Sequence, residues 1–393
     1  MAKIVFFSIP AYGHTNPTLG LVRELTARGH QVRYYSYEKF RSRIEAAGAN
    51  FISCDGCDAQ LGLSPEDGAR IALDPAFSIH VLVETTLALD AMVCREMETE
   101  RPDCIVADSM AAWGKAAALK LKIPFVSSTT TFAFNRESAK IMKQSLRQAL
   151  KLLRSLPGIN RDIRRLQRVG YPIKNFLQLI SNDRDTETIV YTSPEFQPCA
   201  ESFSEKYAFV GPLVIPPETS FRKKGKKLIY VSMGTVNNDM LEFYSNCIRA
   251  FGNTELELLI SAGELADISL LGRLPENVRV ERWVEQTAVL KEADVFISHC
   301  GMNSASESLY FGAPVLCYPQ TAEQRAVATR ISQLGAGIVL PSASAKDIRA
   351  GVNLLIKDDN YRLNAEKIGE SFRRCGGAAA AADKIERLIK CFI

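Results

Sequence analysis

The chain has 393 residues and a mass of 43.4 kDa, a length that suits two to three domains. Hydrophobic residues make up 47% and charged residues 23%, which excludes a disordered, collagen-like or coiled-coil chain. Lys and Arg number 48 and Asp and Glu 44, and the net charge of +4 is too weak a field to argue for nucleic acid.

From the amino terminus, Lys3–Ile9 reads as a short apolar strand running straight into Pro10, Gly13 and His14. No h-region or small-residue cleavage site follows, so no signal peptide is expected. No apolar run reaches the ~18 residues of a membrane-spanning helix, so no integral membrane segment is expected. The ten cysteines are scattered, and Cys104, Cys300 and Cys317 sit inside apolar runs, which reads as reduced thiols in a cytoplasmic protein. Cys54 and Cys57 form the only C-x-x-C, without the second pair that a zinc ribbon needs, so no metal site is expected.

Strand-like runs follow at Gln31–Ser36, Asp103–Ala107, Pro124–Ser127 and Thr188–Tyr191. Helical patterns at Pro17–Arg28, Glu38–Ala47, Phe77–Glu100 and Ala111–Leu121 lie between them, the rhythm of βαβ units. Thr131–Arg184 breaks that rhythm with a helix-rich stretch carrying Arg161, Arg164, Arg165 and Arg168, which could form an acceptor pocket, a membrane-surface helix or a plain solvated face. Gly211 to Lys227 reads as a Pro-rich, then basic, linker. The α/β rhythm restarts with runs at Leu228–Ser232, Leu256–Ser261, Val278–Glu281, Val295–Ser298, Pro314–Cys317 and Gly337–Leu340. Helices are expected near Met240–Phe251, Thr287–Glu292, Ser304–Phe311 and Glu323–Leu334. Two doubly wound α/β sheets in tandem are the simplest architecture.

In such sheets ligands bind at the carboxyl ends of the strands. Asn16 suits a helix N-cap and Pro17 a first helical position, which puts His14 in the loop just before a helix. Asp108 follows its own apolar run and could meet His14 at one edge. A carboxylate on one imidazole nitrogen would leave the other as a general base. Asp108 is equally consistent with a helix N-cap for Ala111–Leu121. No G-x-S-x-G elbow accompanies them, so the proton would come from a substrate hydroxyl.

The richest segment runs from Trp283 to Gln324. His299 ends a strand and Gly301 to Ser304 open a helix, an arrangement suited to an anion. Glu307 lies one turn in, where a carboxylate could take two vicinal hydroxyls. Neither G-x-G-x-x-G nor a Walker motif is present.

The frame W-x-x-Q…H-x-G-x-N-S-x-x-E…G-x-P…P-x-x-x-E-Q over that segment resembles the nucleotide-sugar signature of the family 1 UDP-glycosyltransferase superfamily. Gly13-His14-x-Asn16-Pro17, Asp108 and Val231-Ser232-Met233-Gly234-Thr235 match further landmarks. The likeness covers nearly the whole chain and is nearest to the bacterial macrolide-type enzymes.

That resemblance implies the GT-B fold, two Rossmann-like doubly wound domains facing across a cleft. It implies an acceptor-binding domain over 1–210, a linker over 211–227, a nucleotide-sugar domain over 228–375 and a helix over 376–393 crossing back. His14 would be the base and Asp108 its orienting carboxylate. Trp283 and Val284 would meet the uracil, Gln286 the nucleoside and Glu307 the ribose. Ser232, Thr235, His299, Gly301, Asn303 and Ser304 would hold the diphosphate, and Glu323 and Gln324 the sugar.

The implied reaction is inverting and metal-independent. A sugar, glucose by preference, would pass from a UDP-sugar co-substrate to a hydroxyl of a small apolar acceptor such as a phenolic or a macrolide. A lipid or sterol acceptor, or a nucleotide-sugar epimerase of the same architecture, stand as alternatives. No cofactor is implied, and a monomer is expected. Two departures stand out: Glu285 replaces the family's usual Pro and is expected to face solvent, and Met302 stands where plant members often carry Trp.

Overall fold

A computed structural model describes residues 1–56, 67, 70–71, 74–138, 146–217, 219–224, 227–234 and 239–392. Cys57 and Thr235 lie outside the described residues. The chain forms two compact units. One comprises Met1–Tyr191, Cys199–Leu213 and Gly376–Ile393, and the other Thr192–Pro198 and Val214–Cys375.

The first unit holds strands β1 (Lys3–Phe7), β2 (Gln31–Ser36), β3 (Asn50–Ser53), β4 (Cys104–Asp108), β5 (Phe125–Thr129), β6 (Thr188–Val190) and β7 (Tyr207–Phe209). All pair in parallel, in the order β3-β2-β1-β4-β5-β6-β7. The central strands β1 and β4 are almost wholly apolar because helices cover both faces of the sheet. Its helices are α1 (Tyr12–Ala27), α2 (Arg41–Ala46), α3 (Pro75–Glu100), α4 (Ala112–Leu121), α5 (Leu146–Arg168) and α6 (Phe176–Ile180).

The second unit repeats the plan with strands β8 (Leu228–Ser232), β9 (Glu257–Ser261), β10 (Val278–Glu281), β11 (Val295–Ser298), β12 (Val315–Cys317) and β13 (Gly337–Val339), in the order β10-β9-β8-β11-β12-β13. Its helices are α7 (Leu241–Phe251), α8 (Gln286–Leu290), α9 (Met302–Tyr310), α10 (Ala322–Gln333), α11 (Ala345–Lys357) and α12 (Asn360–Arg374). The last helix, α13 (Gly377–Phe392), belongs to the first unit. There Ala381, Ala382, Ile385 and Ile389 bury against Leu21, Val22 and Leu25 of α1. Arg28, the C-cap of α1, also reaches Asp383 at 2.6 Å.

Four expectations change. Helix α1 starts at Tyr12, with Ala11 as its N-cap and Pro17 inside it, so His14 sits in the first helical turn and not in a loop. Asn16 does not cap, and its side chain accepts from Arg43 instead. Helix α3, 26 residues long, is apolar enough to cross a membrane by length and composition alone. Its apolar face is spent in the core, however, where Ile79, Val83, Leu89, Val93 and Met97 pack with the α4 and α5 side chains. Asp74 accepts from the Ala76 and Phe77 amides at its start, with Pro75 as first residue. The basic run after Phe221 is also less free than a solvated linker. Lys223 and Lys227 pair with Asp294 at 3.1 and 3.0 Å, and Glu257 accepts from the Lys224 amide.

Candidate functional site

Both sheets reverse their winding between their first and fourth strands, at β1/β4 and β8/β11, and His14, Asp108, Ser232 and His299 stand at those two points. In the first unit β4 delivers Asp108 as its last residue, and the first turn of α1 delivers His14. The His14 Nδ1 lies 2.9 Å from Asp108 Oδ2. The Asp108 side chain is fully buried, whereas His14 keeps 20% of its side chain exposed. The other Asp108 oxygen accepts from the Met110 amide at 2.8 Å. The N-cap of α4 is Ala111, so the alternative of Asp108 as that cap does not hold.

A third side chain completes the group. The Thr130 hydroxyl lies 3.1 Å from His14 Nδ1 and donates to Asp108 Oδ2 at 3.4 Å. Thr130 directly follows β5, at the same carboxyl edge. The rule that located His14 and Asp108 could have found it, but the expected strand stops at Ser127, two residues short of the end of β5. A buried carboxylate with two further donors is held in one orientation, and it fixes the imidazole tautomer with hydrogen on Nδ1. Among nearby aromatics, Phe132 is core and Phe134 is 38% exposed.

In the second unit, His299 follows β11 and lies against two glycines. A Cβ on Gly234 would come within 2.6 Å of the imidazole Cε1, and one on Gly301 within 2.6 Å of Nε2. Gly234 also has φ +82, a conformation that favours glycine. Burial pushes His299 down to about 4, with the Ser232 main chain offsetting part of that shift, so the ring is neutral at pH 7. Its buried Nδ1 has no hydrogen-bond partner among the described residues. Gly301 is the N-cap of α9, and Met302, Asn303 and Ser304 form its first turn. First-turn amides and a neutral imidazole at a helix start together form an anion-receptive surface. Met302 itself is buried, 5% exposed.

Trp283 follows β10 and is 74% exposed, so it is a presented indole face and not a core residue. Val284, beside it, packs against the Leu228, Tyr230 and Phe296 cluster. Gln286 begins α8 and bridges two elements. Its Nε2 donates to Glu307 Oε2 at 2.6 Å and to Ser304 Oγ at 3.3 Å, and its Oε1 accepts from the Tyr230 hydroxyl at 3.2 Å. Glu307 is half-buried, and loss of solvation raises its pKa against the opposing pull of Gln286. Tyr230 gave no sequence signal, because a Tyr inside the run Leu228–Ser232 reads as core.

Two residues make local contacts beyond those expected of them. Glu285 stays partly exposed, and its carboxylate accepts from both the amide and the hydroxyl of Thr219. Gln324 closes a capping box on α10. Its Oε1 accepts from the Gln320 and Thr321 amides, and its own amide donates to Thr321 Oγ1. Only its side-chain NH2 remains for a ligand, while Glu323 stands beside it in the first turn.

The chain is 32% identical to the uncharacterized UDP-glucosyltransferase YdhE of Bacillus subtilis, over 99% of each protein. It belongs to the UDP-glycosyltransferase family. Residues 246–377 of this glycosyltransferase match the family described as erythromycin biosynthesis protein CIII-like, C-terminal domain. It is 30% identical to the demethyllactenocin mycarosyltransferase of Streptomyces fradiae, over 99% of this chain and 87% of that one. Among solved structures, the calicheamicin glycosyltransferase CalG4 superposes with a TM-score of 0.83 at 27% identity, covering 99% of this chain and 98% of the other. The two-sheet architecture is the GT-B fold of these enzymes.

Proposed function

We propose that this glycosyltransferase moves a sugar, glucose by preference, from a UDP-sugar to a hydroxyl of a small apolar acceptor, with inversion at the anomeric carbon. His14 takes the acceptor proton on Nε2 while Asp108 supports the imidazolium that forms. The acceptor oxygen bonds to the anomeric carbon as the bond from that carbon to the diphosphate oxygen breaks. UDP leaves with the electron pair, and its charge settles against the first turn of α9 and the His299 ring. The scheme calls on no metal ion. Trp283 stacks on the base, Glu307 takes the ribose, and Glu323 with the Gln324 amide takes sugar hydroxyls.

The observation that carries this reading is the buried Asp108 seated on His14 Nδ1 at 2.9 Å. The relatives support it: YdhE is named for UDP and glucose, and the demethyllactenocin enzyme for a natural product. The test is transfer of radiolabel from UDP-glucose to a panel of aglycones scored by mass spectrometry. The anomeric configuration of the product, read by NMR, reports inversion.

Asp108→Asn is the sharpest single substitution for the base pair. Asn keeps the shape but loses the charge that stabilises an imidazolium. We expect a large loss of kcat with circular dichroism and the unfolding midpoint unchanged. A kcat within twofold of the parent would leave Asp108 a structural residue.

Gly301→Ala tests the anion surface. The added methyl lies within 2.6 Å of the His299 ring, which must shift. A displaced ring no longer meets the diphosphate, and a hydrogen bond to a charged group is worth ~1.5–3 kcal/mol, so UDP affinity by calorimetry should fall by roughly tenfold or more. Unaltered UDP affinity would remove His299 from the diphosphate.

A further inference from the structure

Three side chains from three separate elements form one hydrogen-bonded line beneath the nucleotide-facing edge of the second unit. Tyr230 lies in the middle of β8, 1% exposed, its ring stacked on Phe296 at 5.0 Å between centroids. Its hydroxyl donates to Gln286 Oε1, and Gln286 Nε2 donates to Glu307 Oε2. An amide side chain has two ends of opposite character. The hydroxyl of Tyr230 can satisfy the Oε1 end only while the NH2 end faces Glu307. A flipped amide would aim its oxygen at the Glu307 carboxylate and its NH2 at the Tyr230 hydroxyl.

We propose that Tyr230 is a positioning residue for nucleotide selection: through Gln286 it holds Glu307 in the orientation that receives the ribose 2′-hydroxyl. The inference rests on the reading of Glu307 as the ribose acceptor and adds the residue that aims it. The chemistry is one-directional. One oxygen of Glu307 is already occupied by Gln286, so the other is presented to the sugar. Loss of the Tyr230 hydroxyl releases Gln286 and then Glu307, to which Gln286 Nε2 makes its shorter bond, 2.6 Å against 3.3 Å to Ser304 Oγ, so the larger effect falls on the ribose side.

The test compares UDP with 2′-deoxy-UDP by titration calorimetry on the full chain, using Tyr230→Phe, Gln286→Ala and the double variant. Phe retains the ring and its stacking on Phe296, and an unchanged unfolding midpoint confirms that the core is kept. Tyr230→Phe should weaken UDP binding by about two- to tenfold, the effect of one hydrogen bond, and leave 2′-deoxy-UDP binding unchanged. In steady-state assays KM for the UDP-sugar should rise with kcat within twofold. In the Gln286→Ala background the Tyr230→Phe change should add nothing, because its route to Glu307 is already cut.

Equal weakening of UDP and 2′-deoxy-UDP would overturn the inference, since a purely structural role affects both. Additive effects of the two substitutions would overturn it as well. Where the parent protein binds UDP more tightly than 2′-deoxy-UDP yet Tyr230→Phe changes neither, the inference fails and the ribose reading survives. Where the parent protein binds the two equally, both fail together.

Discussion

His14→Ala is expected to lower kcat by about 100-fold or more with an aliphatic hydroxyl acceptor, the range for losing a positioned general base. Affinity for UDP should stay within twofold, because His14 belongs to the first unit and the residues proposed for the diphosphate to the second. The acceptor decides whether the test is fair. A strongly acidic phenol arrives already ionised and needs little help, so its rate should fall far less than that of an alcohol. The variant therefore makes a graded prediction: the loss should shrink as the acceptor pKa falls. A uniform loss across acceptors would point to a role in holding the acceptor instead of taking its proton. Wild-type turnover on alcohols would dismiss His14 from the chemistry.

The same site shows what a sequence can disclose and where it stops. Parallel strands buried on both faces are written as unbroken apolar runs, and β8 and β11 follow those runs end to end, while β2 and the edge strand β10 keep their expected bounds despite Arg33, Arg279 and Glu281. The strand β3 carries only two apolar residues among four, and β7, although Tyr-Ala-Phe, is only three residues long, too short to stand out. The start of α1 was obscured by Asn16-Pro17, a strong local start signal. The real start is set by Ala11, whose extended backbone and free carbonyl take the His14 and Thr15 amides. Local propensity yielded there to the packing of the helix on β2, where Thr18 meets the Tyr34 hydroxyl at 2.7 Å.

Contacts between distant positions were the least legible. The Thr219 partner of Glu285 lies 66 positions away, and Tyr230 lies 56 positions from Gln286. No period or spacing links them, and only the folded chain brings them together. The capping box at Thr321 and Gln324 was legible by contrast, since Thr-x-x-Gln is its signature. It was masked by a competing assignment of Gln324 to the sugar. A residue can satisfy a local structural rule and a motif at once, and the geometry then shows which atoms each role leaves available.

UDP donors are expected to outperform dTDP donors of the same sugar by about ten- to a hundredfold in kcat/KM, because a buried acceptor left without its donor costs ~1–3 kcal/mol. The argument begins with Glu307. Its Oε2 is engaged by Gln286, it sits half-buried, and desolvation raises its pKa. The remaining carboxylate capacity is matched to two vicinal hydroxyls, and a 2′-deoxyribose supplies one. Trp283 contributes little to this choice, since an exposed indole face stacks on uracil and thymine alike. Glu307→Ala should therefore narrow the gap mainly by damaging the UDP reaction, with the dTDP reaction nearly unchanged. Acid should act in the same direction: a carboxyl held above its usual pKa is protonated sooner as pH falls, and the neutral acid accepts hydrogen bonds less well. A competition assay with UDP-glucose and dTDP-glucose, run with the parent and with Glu307→Ala, decides the matter. A 2′-deoxy-UDP-glucose control separates the hydroxyl from the thymine methyl group. Equal use of all three donors, unaffected by Glu307→Ala, would take Glu307 out of the ribose site.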